Sequence, residues 1–284
     1  MAMTTSKTNQ ERVFSVEFFP PKTDEGRENW RKARLALARM EPAFYSVTFG
    51  AGGSTREGTF ETVKEIQHAG AQGAPHISCI GTTRKDVLEL LNAYKAIGVQ
   101  RLVALRGDLP SGMVERGDFS YANELVQFIR EETGNDFKIE VAAYPEYHPE
   151  SRSAEDDIIN FKNKVAAGAD SALTQYFYNP DAYFSFVEKV WRLDVDVPIV
   201  PGIMPITNYK QLARFSDACG AEIPRWIRKR LEDLQDDLPA LREFGLDVVT
   251  SLCQKLLDGG APGLHFYTLN RAEPTLAIWD RIGK

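Results

Sequence analysis

The chain has 284 residues, 43% of them hydrophobic and 26% charged, with a formal net charge of −6. That size and balance fit one globular domain with a large core and leave no room for a second regulatory domain. The acidic balance argues against a nucleic-acid partner, which needs a basic surface to release counterions. Three widely spaced cysteines, Cys79, Cys219 and Cys253, give neither a disulfide framework nor a structural zinc site.

Residues 1–12 are expected to form a flexible N-terminal segment ahead of a single domain over residues 13–284. Met1–Glu11 is polar and has no apolar stretch of the kind a secretion signal or membrane anchor needs, so a cytoplasmic location away from membranes is expected. Eight short apolar runs then follow: Phe14–Phe18, Phe44–Phe49, Pro75–Ile80, Leu102–Leu105, Ile139–Tyr144, Ala172–Phe177, Ile199–Ile203 and Leu264–Leu269. Helical periodicity fills the gaps. Trp30, Ala33, Leu37 and Met40 share one face before Pro42, and Val87, Leu90, Leu91 and Tyr94 share another before Gly98. The interval between Ile203 and Leu264 holds more than one helix, with Gln211–Ala218, Pro224–Leu234 and Pro239–Leu257 as candidates. Eight strand-then-helix units predict an α/β fold, a (β/α)8 TIM barrel with an extra helix between strands 7 and 8, whose chemistry gathers at the C-terminal strand ends. A doubly wound open sheet is the rival architecture.

Alternation in the first run sends Val16 and Phe18 toward the helices and Ser15 and Glu17 into the barrel. A carboxylate bordered by aromatics loses hydration, so Glu17 is expected to have a raised pKa suited to a general acid. The alternative is a Glu paired with a basic side chain inside the barrel. The second run ends in a glycine-rich loop, Gly50–Thr55, which lacks the third glycine of a dinucleotide fingerprint. The fourth ends in Arg106-Gly107-Asp108, which suits an anionic group, a close backbone approach and a ring N–H in turn, or simply a turn capped by a local ion pair. Asp157, Asn160 and Lys164 fall on one face of the fifth helix, either solvated or bordering a ligand rich in hydroxyls and phosphates. Gln175, among apolar neighbours in the sixth run, needs partners for both ends of its amide. The four histidines, His68, His76, His148 and His265, lie apart, and the zinc, hydrolase and P-loop signatures are missing, so no metal site is expected. His68 reads as a helix-surface residue and His265 as a satisfied barrel residue.

Six segments together resemble the methylenetetrahydrofolate reductase family, in order and over nearly the whole chain from residue 13. They are Glu17–Lys22, Ser46–Gly50, Ala74–Cys79, Leu105–Pro110, Ala142–Glu150 and His265–Arg271. The resemblance implies a flavoprotein of one-carbon metabolism. FAD would take hydride from NADH or NADPH, then pass it to 5,10-methylenetetrahydrofolate to give 5-methyltetrahydrofolate. It implies catalytic roles for Glu17, as general acid, and Asp108. It also implies FAD contacts from Thr48, His76, Arg106, Gly107, Asp108, Tyr144, His148, Asp157, Asn160 and Lys164, and folate contacts from Glu17, Asp108, Gln175, Phe215 and Arg271. Members of the family are often homo-oligomers. The chain departs from the family pattern in having Phe49 where Tyr is common, and Tyr176-Phe177-Tyr178 where a Phe-rich run is expected. The end of the chain shortly after Trp279 leads to the expectation that the C-terminal regulatory domain of eukaryotic members is missing, and with it feedback inhibition by S-adenosylmethionine. Two other functions compete: a flavin-free pterin-binding one-carbon transferase, and a non-catalytic folate or flavin binding protein.

Overall fold

A computed structural model describes residues 12–49, 54–107 and 117–283. Strand and helix alternate from the start: β1 (Val13–Phe18), α1 (Asp24–Leu37), β2 (Phe44–Val47), α2 (Ser54–His68), β3 (Gly73–Ser78), α3 (Arg84–Ala96), β4 (Arg101–Leu105) and α4 (Ala122–Thr133). The pattern continues through β5 (Lys138–Ala143), α5 (Ala154–Ala166), β6 (Ser171–Thr174) and α6 (Pro180–Trp191). Then come β7 (Ile199–Val200), β8 (Gly202–Ile203), α7 (Tyr209–Cys219), α8 (Arg225–Asp233), α9 (Leu238–Asp258), β9 (Gly263–Tyr267) and α10 (Glu273–Ile282). The helices start where capping side chains stand. Thr23, Ser153, Asn179, Asn208 and Asp237 each accept a backbone N–H from the first turn, and Thr83 with Asp86 forms a reciprocal box.

All strand pairs are parallel, in the order β7-β6-β5-β4-β3-β2-β1-β9-β8. Between β7 and β8 lies only Pro201, so the two pieces are one strand that changes partner at its midpoint. Ile199 and Val200 pair with β6, while Gly202 and Ile203 pair with β9. Proline has no N–H to give a ladder, but its carbonyl still accepts from His265 N at 2.9 Å. This switch closes the sheet into the predicted (β/α)8 barrel. Gly202 is required at the seam, because a Cβ there would lie 2.2 Å from the Thr174 carbonyl oxygen and 2.6 Å from the Tyr267 ring. Three helices, α7, α8 and α9, fill the crossing from β8 to β9, where one would suffice.

Alternation along the strands builds two cores. Outward residues such as Val16, Phe18, Val47, Ile77, Leu102, Val141 and Phe266 pack with Trp30, Leu37, Leu125 and Phe161 of the surrounding helices. Inward residues Phe44, Ala74, Val103, Leu173 and Val200 fill the bore. At the N-terminal end of the bore Glu140 is paired with the Arg101 guanidinium and accepts a hydrogen bond of 2.6 Å from Ser171 Oγ. Arg101 also lies 4.6 Å above the Phe44 ring centroid. The floor of the barrel is therefore a closed ionic and aromatic plug, and the opposite rim is where polar groups remain available for chemistry.

Candidate active site

Glu17 is the penultimate residue of β1 and points into the bore, as the alternation predicts. His76, from β3, brings Nε2 within 3.2 Å of its Oε2, and His265, from β9, brings Nε2 within 3.5 Å. Neither imidazole Nε2 is aligned as a hydrogen bond, and neither has another partner among the described residues. Ser46 Oγ, on β2, donates to Glu17 Oε2 over 3.4 Å. The other nitrogen of His265, Nδ1, shares a hydrogen bond of 2.7 Å with the fully buried Ser15 Oγ. Four strands thus place one carboxylate between two imidazoles, one of which is backed by a serine.

The expectation of a raised Glu17 pKa is overturned. Burial is the largest single influence and does favour the neutral acid. The charge and proximity of His76 and His265 together outweigh it, and hold the carboxyl at about 2. The structure supplies instead the alternative of basic partners inside the barrel, as imidazoles from positions 59 and 248 residues away in the chain. The rim around Glu17 is also tied: Thr268 Oγ1 donates to the Glu17 carbonyl at 2.6 Å, and the Asn270 amide bonds both N–H and C=O of Phe19 at 3.0 and 2.9 Å.

Beside this cluster runs a cleft of about 830 Å³ over the ends of β3, β4 and β5 and along α5. Arg106, Gly107, Tyr144, His148, Asp157, Asn160 and Lys164, all expected from sequence on the cofactor side, line it together. Gly107 has φ +83°, and a Cβ there would meet Ser78 Oγ at 1.9 Å, so only glycine holds this turn against β3. Tyr144 and His148 meet edge to face at 4.7 Å. His148 Nδ1 accepts from Glu150 N at 3.0 Å, and burial, then the Arg106 charge, lowers its pKa.

The polar face of α5 is only partly solvated: Asn160 is exposed, while its two charged neighbours are held by the protein. Asp157 is buried and accepts 2.8 Å from Ser151 Oγ, while Lys164 Nζ donates to the Ala142 carbonyl at 2.6 Å. Burial pushes the Lys164 pKa down to about 8 against the opposing pull of Asp157. Arg106 pairs with Glu150 at 2.7 Å. Sequence reasoning gave no role in the cleft to Glu150, Ser151, Tyr121 or Ile159. The last two are exposed apolar side chains on its wall, a combination that a flat ligand can use.

The remaining predicted residues scatter more. Thr48 and His76 adjoin the cleft without lining it; His76 belongs to the Glu17 cluster, and Thr48 N donates to the Phe18 carbonyl at 2.9 Å. Asp108 and the glycine-rich segment 50–53 lie outside the described residues. Gln175 turns its Oε1 back to accept from Tyr176 N at 3.0 Å, which leaves its amide nitrogen as the group presented outward. Phe215 sits half-buried on α7, and Arg271 is exposed between the end of β9 and α10. Among the described residues no group of three or more His, Cys, Asp or Glu is placed to hold a metal ion. No described helix is long and apolar enough to cross a membrane.

Comparison with known proteins identifies the family. A family model described as methylenetetrahydrofolate reductase matches residues 2–283. The chain is 38% identical over 270 residues to 5,10-methylenetetrahydrofolate reductase of Escherichia coli strain K12, covering 95% of this chain and 90% of that protein. It is 37% identical over 285 residues to methylenetetrahydrofolate reductase (NADH) 1 of Zea mays, of which it spans 48%. Among solved structures, a protein of Clostridium thermocellum that binds two copies of 5-methyl-5,6,7,8-tetrahydrofolic acid superposes with a TM-score of 0.69 at 18% identity, covering 96% of this chain and 95% of that one. At that identity the likeness speaks for the fold alone.

Proposed function

Because this chain belongs to the methylenetetrahydrofolate reductase family, we propose that it reduces 5,10-methylenetetrahydrofolate to 5-methyltetrahydrofolate with NADH or NADPH, in two half-reactions through FAD. The observation that carries this reading is the adjacency of two unlike sites: a cleft with cations, hydroxyl acceptors and aromatic edges, and next to it a largely buried acid flanked by two imidazoles.

The cleft fits FAD in both size and chemistry. About 830 Å³ is within the usual range for small-molecule sites. Arg106 and Lys164 offer positive charge to a diphosphate, Asp157 and Asn160 offer acceptors and donors to hydroxyls, and the side-chain-free Gly107 allows a planar ring to approach. Bound FAD would supply the two-electron store that lets the nicotinamide leave before the folate arrives. Tyr144 and His148 would hold one edge of the cofactor.

Glu17 would donate the proton that opens the five-membered ring of the folate, with Gln175, Phe215 and Arg271 holding the substrate and Asp108 serving both ligands. The low pKa of the carboxyl does not prevent this, because the tautomer of His265 sets which form of Glu17 it faces, and the neutral form is reached by taking up one proton from solvent. When Ser15 Oγ donates to His265 Nδ1, Nε2 carries the proton and faces an ionised Glu17. When Nδ1 donates to Ser15, Nε2 is free to accept from a neutral Glu17.

Anaerobic mixing tests the proposal directly. The purified protein should be yellow, NADH or NADPH should bleach it, and 5,10-methylenetetrahydrofolate should restore the colour. A preparation that takes up no FAD would remove the basis of the reading. Lys164→Ala should weaken FAD retention by about 10- to 100-fold, the loss expected for one charge-assisted hydrogen bond. Unchanged retention would favour a flavin-free pterin site.

A further inference from the structure

Tyr176 follows Gln175 directly, and its side chain reaches away from the barrel axis to α7. Its hydroxyl lies 3.0 Å from Ser216 Oγ, with both residues almost fully buried, and Cys219 on the next turn of α7 lies beside the same hydroxyl. Its backbone N–H meanwhile fixes Gln175 Oε1 at 3.0 Å. A second tyrosine of the same segment, Tyr178, donates to the Met204 carbonyl at 3.2 Å, just before α7 begins. Beyond the far end of α7, Glu222 N donates to Glu146 Oε2 at 2.8 Å, which ties the α7–α8 loop to the segment between Tyr144 and His148. Phe215 immediately precedes Ser216.

We propose that the Tyr176–Ser216 hydrogen bond is a latch that locks α7 to the end of β6, making Tyr176 the positioning residue that sets Phe215 and Gln175 relative to one another at the folate side of the rim. The proposal rests on the folate-reductase reading above for its substrate. The hydroxyl cannot act on substrate itself, because it is buried and spent on α7; it acts by holding two neighbours that would. A phenylalanine at position 176 keeps the ring packing against Tyr178 and Tyr267, whose centroids lie 5.9 and 6.4 Å away, and loses the hydroxyl with its bond to Ser216 and its contact with Cys219.

The test uses the full-length holoprotein and the variants Tyr176→Phe, Ser216→Ala and Ser216→Thr, with hydrogen exchange of residues 209–219 and folate kinetics as readouts. Loss of one neutral hydrogen bond predicts a rise of about two- to tenfold in both α7 exchange and KM for the folate. In Tyr176→Phe and Ser216→Ala, kcat at saturation and FAD content should stay near wild type. Their double variant should be no worse than either alone, since both remove the same bond. Ser216→Thr should restore wild-type KM. Unchanged α7 exchange, or losses that add in the double variant, would overturn the latch. A wild-type chain that fails to reduce the folate would instead overturn the proposed reaction, and the exchange cycle would still decide whether the latch exists.

Discussion

Each end of the barrel bore holds a carboxylate, and the two are surrounded differently. At the N-terminal end Glu140 meets a guanidinium, which stays charged at every pH the protein experiences, and a serine hydroxyl that completes its coordination. At the C-terminal end Glu17 meets two imidazoles, at 3.2 and 3.5 Å, and a serine hydroxyl at 3.4 Å. A permanent cation makes the first carboxylate a fixture of the scaffold. The second is the carboxylate proposed above as the acid of the folate half-reaction.

The sharpest way to break that contrast is to neutralise each carboxylate in turn. Glu17→Gln should leave flavin reduction by nicotinamide intact while slowing folate reduction by about 10²- to 10⁴-fold, the usual span for a lost general acid. Equal loss of both half-reactions in stopped-flow would show that Glu17 does not have that role. Glu140→Ala should instead destabilise the fold by about 3–5 kcal/mol, the cost of stranding the buried partner of an ion pair. Denaturant unfolding measures it, and the folded fraction should keep its catalytic rates.

Acid titration sharpens the comparison with a smaller effect. The carboxyl of Glu17 has a folded pKa of about 2, below its ordinary 4.5, so it contributes stability that is present above the ordinary value and lost as pH falls toward 2. The ceiling of that contribution is on the order of 3 kcal/mol. Glu17→Gln should therefore lose stability less steeply than wild type across this window, and parallel curves would refute the ion-pair account. The smallest effect belongs to Ser15→Ala, which removes one neutral hydrogen bond from His265. It should slow the folate half-reaction by about two- to tenfold and leave flavin binding untouched. A variant indistinguishable from wild type would mean that the serine does not govern the His265 proton.

Much of this architecture was legible in local pattern. Each expected run overlaps an observed strand, yet several extend past its C-terminal end. The run expected to Phe177 leaves the ladder after Thr174, and the one expected to Phe49 leaves after Val47. The excess is informative, because residues such as Gln175 and Phe49 keep strand-like alternation while leaving the sheet to form the rim. The inward face of Glu17 and the shared face of Asp157, Asn160 and Lys164 also followed from period alone, since a two-residue or 3.6-residue repeat fixes direction without knowledge of neighbours.

What period could not supply is identity of the neighbours. The Ser15–His265 bond spans 250 residues of sequence, and the Tyr176–Ser216 bond spans 40. Glu150 reaches Arg106 from a different loop. The direction of the Glu17 pKa shift is the clearest case, since local composition indicated desolvation and only the assembled bore revealed the opposing imidazoles.

The sequence by itself determined that strands and helices would alternate, which faces would be apolar, and which polar residues would stand at strand ends, because these depend on backbone geometry and on a few adjacent side chains. Only the tertiary structure decided that Pro201 would let one strand serve two partners and close the ring. It also decided that one carboxylate of the bore would face a guanidinium and the other two imidazoles. Charge energies at these distances depend on which groups face one another across the bore, and that is settled only when the strands meet.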